Sequence, residues 1–260
     1  MLRGYDSCLI AYSGGVDSVL LAKVAHGELG ERMLAVIADS PSLPRRELQE
    51  AKDLAEEFAF PLEIVSTAEF NNPAYQANPV NRCYFCKHEL FTHLRALAQA
   101  RGFQVLAYGE NASDAGDWRP GGQAAGEFAV RAPLSEAGLS KEEVRAFSRE
   151  LGLPTADKPA MPCLSSRIPY GETVTPRKVK MIELAENTLR ELGFSEVRVR
   201  HHEAGPLARI EVLPAEVPRL QADETFESIQ ASLSQIGYAE VEVDAAGYRC
   251  GNLNPAEVMP

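Results

Sequence analysis

Residues 7–18 read SCLIAYSGGVDS, an apolar run that gives way at once to Ser13, Gly14, Gly15, Val16, Asp17 and Ser18. The run SCLIAY has the composition of a buried strand, and from Asp17 onward the apolar residues fall at helical spacing. Two glycines between a strand and a helix let the backbone turn tightly and approach a ligand. The free N–H groups of the new helix face whatever occupies that turn, so an anion belongs there. The stretch is not a Walker loop, because the lysine and the longer glycine spacing are absent. A plain turn capped by Ser or Asp is the alternative, and the position at the end of the first strand weighs against it.

Outward from this stretch, short β-rich runs alternate with amphipathic segments. MLAVIAD follows, then a helix from Pro44, LEIVS, a helix through Leu90 to Ala100, and QVLAYG. This is the βαβ pattern of an α/β, doubly wound parallel sheet. Pro44 suits the first turn of its helix, with Ser42 or Leu43 near the cap, and Gly102 suits a helix exit. Between Gly109 and Tyr170 the pattern breaks around one helical stretch, Lys141 to Glu150, and long irregular segments of this kind are usually functional. After Thr175 and Pro176 come a helix to Leu192 closed by Gly193, EVRVRHHE, LARIEV, a helix near Glu224 to Gln235, and AEVEVD. That reads as a smaller α+β domain, giving an expected division into residues 1–170 and 171–260.

With 260 residues, 45% of them hydrophobic, the chain can bury a large core. No apolar run approaches a membrane span, and the first residues lack signal-peptide flanks, so a cytoplasmic location is expected. A net charge of −11 repels polyanions, which favours a small-molecule substrate over nucleic acid. Five unevenly spaced cysteines argue against a secreted disulfide framework and for thiol, metal or cluster chemistry.

Cys83 and Cys86 form a CxxC at or just before the helix that runs to Ala100, where a helix N-terminus favours thiolates. Half a zinc site, a redox pair and part of an iron–sulfur site compete. No second CxxC or paired His completes zinc, and the thioredoxin setting is wrong, so a cluster with a third cysteine remains. Cys163, in KPAMPCLSSRIPYG, is the candidate. Lys158 and Arg167 flank it, Pro159, Pro162 and Pro169 stiffen the segment, and nearby cations favour a reactive thiol. Cys8 and Cys250 read as structural.

SGGVDS resembles the PP-loop of the ATP pyrophosphatases, which split ATP between its α and β phosphates and adenylate a substrate. Asp39 and Ser40, after MLAVIA, match the position that flanks adenosine in that superfamily. Gly109, Glu110, Asn111, Ala112, Ser113 and Asp114 resemble its Gly-Thr-Asn-x-x-Asp element, with Glu110 where Thr is usual. Asp114 would then hold Mg²⁺ against the phosphates. Taken alone, GENASD is equally an ordinary polar loop.

SGGVDS, the CxxC and PCLSSRIPYG together resemble the LarE-type ATP-dependent sulfurtransferases, from the phosphate loop through EVRVRHHEAGPLARIEV. The resemblance implies ATP on Ser13–Ser18, a catalytic Asp17, and a substrate that is a pyridinium dicarboxylic acid mononucleotide, adenylated at a carboxylate and converted to a thiocarboxylate. Arg198 and Arg200, two apart on one strand face, would grip its phosphate. Arg167 or nearby donors would stabilise the oxyanion. Two sulfur sources fit the family. In one, Cys163 gives up its own sulfur and becomes dehydroalanine. In the other, favoured because it gives the CxxC a role, Cys83, Cys86 and Cys163 hold a [4Fe–4S] cluster that carries hydrosulfide from sulfide or another donor. The family also implies a homo-oligomer. Rival readings are a tRNA thiolase of the same superfamily, an ammonia-using ligase with no need for the three cysteines, and a nucleotide sensor that releases no pyrophosphate.

Overall fold

The computed structural model describes residues 1–114, 120–202 and 206–249. In chain order its elements are β1 (Cys8–Ala11), α1 (Val16–Leu29), β2 (Met33–Asp39), α2 (Arg45–Glu57), β3 (Leu62–Ser66), α3 (Pro73–Gln76), α4 (Arg82–Arg101), β4 (Val105–Tyr108), α5 (Pro120–Glu127), α6 (Pro133–Glu136), α7 (Lys141–Glu150), α8 (Pro176–Glu191), β5 (Val197–His202), β6 (Leu207–Val212), α9 (Val217–Leu220), α10 (Asp223–Ile236) and β7 (Glu240–Val243). Among the described residues no helix is long and apolar enough to cross a membrane.

The chain divides into two compact units, Met1–Glu69 with Asn81–Met161, and Phe70–Val80 with Pro162–Pro260. In the first, four parallel strands stand in the order β3-β2-β1-β4. Successive side chains of a strand point to opposite faces, and here both faces are apolar. Cys8 and Ile10 of β1, with Met33, Ala35 and Ile37 of β2, pack with Val19, Leu20 and Leu21 of α1. Leu9, Ala11, Leu34 and Val36 instead meet Phe91, Leu94 and Ala98 of α4 and Ala124 and Ala125 of α5. Each fully buried Leu or Ile contributes about 1.5–3 kcal/mol, so the alternation makes this sheet doubly wound, as expected. Burial also pushes the Cys8 thiol up to about 12, which suits a structural cysteine.

The second unit has a sheet of order β5-β6-β7, antiparallel between β5 and β6 and parallel between β6 and β7. Its core joins Val197 and Val199 of β5 and Ala208 and Ile210 of β6 to Ala185 and Leu189 of α8 and Ile229 and Leu233 of α10.

The units do not divide at Gly171. Residues 70–80, expected in the first domain, belong with the segment that follows Pro162, because hydrogen bonds tie them to it. Gly171 N donates to Asn78 O at 2.9 Å and Val174 N to Gln76 O at 2.8 Å. Asn78 Nδ2 donates to Pro169 O at 2.7 Å. Among the described residues between Gly109 and Tyr170 the chain also forms more helix than the sequence suggests. The sequence PGGQAAGE forms α5 despite its glycines, since Ala124 and Ala125 are buried in the core beside α4 and tertiary packing overrides weak helix propensity. Pro44 sits at the cap of α2 and not inside its first turn.

Candidate active site

The turn between β1 and α1 is held open by its own side chains. Ser18 Oγ donates to Gly15 O at 3.1 Å and accepts from Ser13 N at 3.1 Å. Gly15 caps α1 with no side-chain hydrogen bond, so the first N–H groups of the helix are left for another acceptor. Gly14 has a φ of 71°, and a Cβ there would stand 2.9 Å from Ala51 Cβ. Gly109, at the exit of β4, is required by a closer approach, since its Cβ would lie 2.7 Å from Ser18 N. One glycine therefore shapes the loop and the other lets the neighbouring strand end reach it.

Beneath the loop lies a paired-carboxylate cluster. Asn111, fully buried, donates from Nδ2 to Asp17 Oδ1 at 3.0 Å and to Asp114 Oδ2 at 2.9 Å. Lys141 Nζ stands 2.6 Å from Asp17 Oδ2. The structure thus brings together Asp17, Asn111 and Asp114, three of the residues expected at the site, and adds Lys141, which the sequence reading missed. The signal was present. Ser140 and Glu143 form a capping box that fixes the start of α7, and a lysine at the first position of a helix opposes the helix dipole, so it needs an external carboxylate partner.

Asp39 and Ser40 do end β2 at the same edge of the sheet, but both are engaged. Arg45 Nη1 donates to Asp39 Oδ1. Ser40, buried, bonds to Ser42 Oγ at 2.9 Å and donates to Glu69 Oε1. They fix the β2–α2 turn.

Cys83 is exposed and Cys86 partly exposed, both within the first turns of α4, which begins at Arg82 and not after them. Their i, i+3 spacing puts them on one helical face. Cys163 belongs to the second unit, where it caps the short turn Leu164–Arg167 and is partly exposed. Among the described residues no group of three or more His, Cys, Asp or Glu stands together as a metal site. Cys250 lies outside the described residues.

Both cations that flank Cys163 in sequence have carboxylate partners. Lys158 lies 2.6 Å from Glu47 and 2.9 Å from Glu50 in the first unit. Burial opposes its charge, yet the two carboxylates prevail and hold the ammonium pKa above its usual value. Arg167, with no exposed surface, is 2.8 Å from Glu186 and donates to Pro162 O at 2.7 Å and Ser166 Oγ at 3.0 Å. All three nitrogens of its guanidinium are engaged within the protein.

Arg198 and Arg200 share one face of β5 as expected, but they are buried, 3% and 7% exposed. Arg198 Nη1 donates to Val197 O at 2.9 Å and its guanidinium lies over the Tyr248 ring. Burial, then the nearby charge of Arg167, lowers its pKa. Arg200 Nη2 is 2.6 Å from Glu211 Oε2, while its buried Nε has no partner.

A parallel α/β sheet with SGGVDS at the exit of β1, and a carboxylate pair between that loop and the exit of β4, defines a PP-loop protein. No family model matches the chain. It is 33% identical, over 97% of its length and 91% of the relative's, to the pyridinium-3,5-bisthiocarboxylic acid mononucleotide synthase of Lactiplantibacillus plantarum. It is 47% identical to an uncharacterised protein of Synechocystis, over 96% of this chain and 92% of that one. A weaker likeness, 30% over 73% of this chain and 66% of the relative, connects it to a component of the glutamine-hydrolysing GMP synthase of Thermoplasma volcanium. The chain belongs to the pyridinium-3,5-bisthiocarboxylic acid mononucleotide synthase family.

Proposed function

We propose that the protein is an ATP-dependent sulfurtransferase that adenylates a carboxylate of a pyridinium dicarboxylic acid mononucleotide and replaces an oxygen with sulfur, yielding the thiocarboxylates of the nickel-pincer nucleotide cofactor. The observation that carries the reading is the cluster of Asp17, Asn111, Asp114 and Lys141 beneath an uncapped helix N-terminus, in a chain of this family.

The helix-start amides at Ser13–Ser18 bind the phosphates of ATP. Asp17 and Asp114 offer the hard oxygen ligands that Mg²⁺ takes alongside phosphates, and a bound Mg²⁺ would neutralise charge on the leaving pyrophosphate. Lys141 adds a positive charge at the same edge. A substrate carboxylate oxygen attacks the α phosphorus, the bond to the β-phosphate oxygen breaks, and pyrophosphate leaves. A sulfur nucleophile then attacks the carbonyl carbon of the acyl adenylate and AMP departs. In the second unit, the buried Nε of Arg200, beside Arg198 on β5, would bond a phosphate oxygen of the mononucleotide.

For the sulfur carrier we favour a [4Fe–4S] cluster ligated by Cys83, Cys86 and Cys163, over sacrifice of the Cys163 sulfur. Cys83 and Cys86 share a helical face at i, i+3, the spacing at which two ligands can reach one cluster. When bound, such a cluster would carry hydrosulfide on its open iron. The reading is tested by mixing the protein with MgATP and the mononucleotide and measuring pyrophosphate. Release that depends on the mononucleotide supports it; ATP held without release identifies a sensor.

A further inference from the structure

The turn that carries Cys163 is fixed by buried charge. Glu186 of α8 is 1% exposed. Its Oε1 accepts from Arg167 Nε at 2.8 Å and from Val199 N at 3.2 Å, and its Oε2 accepts from Arg190 Nη2 at 2.8 Å and Arg167 Nη2 at 3.3 Å. Burial alone would raise this carboxyl, but the charge and hydrogen bond of Arg167, with Arg190 behind it, hold it below its ordinary range. One edge of the Arg167 guanidinium thus lies on Glu186. Its remaining nitrogen, Nη1, turns to the Cys163 turn, donating to Pro162 O at 2.7 Å, Cys163 O at 3.3 Å and Ser166 Oγ at 3.0 Å. Two further bonds hold the same turn, from Arg200 Nη1 to Ser166 O at 3.2 Å and between Tyr75 Oη and Ser165 Oγ at 2.8 Å.

We propose that Glu186 is a positioning residue for Cys163, acting through the planar guanidinium of Arg167 to fix the backbone on both sides of the thiol-bearing residue. The inference rests on the reading of Cys163 as the residue that handles sulfur. Core stability alone does not account for the arrangement, because a buried ion pair is often matched or exceeded in stability by well-packed apolar residues. What an apolar pair cannot do is transmit a fixed orientation to the carbonyls of Pro162 and Cys163. Only a rigid five-donor fork engages a carboxylate on one edge and a peptide turn on another, so lysine is no substitute. The partly exposed thiol is thereby held on a backbone fixed from both sides, as a ligand or nucleophile must be.

The test is iodoacetamide labelling of the full-length, iron-free protein, resolved by mass spectrometry of the peptide carrying Cys163, with Cys83 and Cys86 as internal references. Releasing the turn should raise Cys163 labelling about tenfold in Glu186→Gln and Arg167→Lys, as local opening becomes easier, with Cys83 and Cys86 unchanged. Glu186→Asp, which keeps the carboxylate, should restore part of the slow labelling. Tyr75→Phe, which removes one hydroxyl and should fold even where the charge variants do not, should shift Cys163 in the same direction by less. Wild-type labelling of Cys163 in Arg167→Lys and Tyr75→Phe, or a uniform rise at all three cysteines, overturns the proposal. The sulfur-handling reading fails separately, if Cys163→Ser still forms thiocarboxylate while Cys163 labelling in the other variants responds as described.

Discussion

Lys141 Nζ stands 2.6 Å from Asp17 Oδ2, across 124 positions of sequence. The contact joins the first turn of α7 to the first turn of α1, so that two helix starts converge below the Ser13–Ser18 turn. Asn111 completes the junction by holding Asp17 and Asp114 together. Lys141 is partly exposed and its ion pair contributes at most about 1 kcal/mol to stability. A charge aimed at a departing phosphate is worth more: removing one preorganised donor costs about a hundredfold or more in rate. Lys141→Ala should therefore lower pyrophosphate release about a hundredfold with a melting temperature close to wild type, as stopped-time assays and calorimetry would show.

Gly109→Ala should disable the loop by a different route. The new Cβ would stand 2.7 Å from Ser18 N and 2.9 Å from Asp17 C, both backbone atoms that cannot swing aside. Either the exit of β4 or the start of α1 must move, at a cost of about 1–3 kcal/mol. ATP binding measured by calorimetry should weaken by about fivefold to 150-fold for that cost, whereas Gly122→Ala, with open space around its Cβ, should bind normally.

Acid stability should depend on Glu186. Its carboxyl titrates lower in the folded chain than in the unfolded one, so its stabilising contribution is fully present above the unfolded value of about 4.3 and is lost as pH falls through the lower folded value. Breaking a buried pair by removing one partner costs about 3–5 kcal/mol. Urea unfolding of wild type and Glu186→Gln should differ by a constant amount above about pH 5 and converge in more acidic solution.

Iron content separates the two sulfur sources. Protein purified without oxygen should hold about four irons with matching sulfide and a brown colour, lost in Cys83→Ala, Cys86→Ala or Cys163→Ala. Colourless protein in which Cys163 becomes dehydroalanine after one turnover would establish the sacrificial route.

The sequence displayed the first sheet clearly, because strands buried on both faces read as continuous apolar runs such as MLAVIAD and the glycine pair marks the turn. It displayed the second sheet too, through the alternation of EVRVRHHE and LARIEV. It hid what depends on long-range pairing. The attachment of residues 70–80 to the segment after Pro162 runs through backbone carbonyls and Asn78, and backbone bonding leaves no residue-type signature. Arg167, Arg198 and Arg200 look like surface cations in sequence, where arginine is seldom buried. Glu186 and Glu211, the partners of Arg167 and Arg200, sit on other elements, with nothing local to mark them as such.

The central claim is most directly tested by incubating the full-length protein without oxygen with MgATP, sulfide and the pyridinium dicarboxylic acid mononucleotide, then weighing the mononucleotide by mass spectrometry while counting AMP and pyrophosphate. The account predicts replacement of carboxylate oxygen by sulfur, with one AMP and one pyrophosphate formed for each thiocarboxylate. A mononucleotide of unchanged mass, with ATP intact or cleaved to ADP, would contradict it.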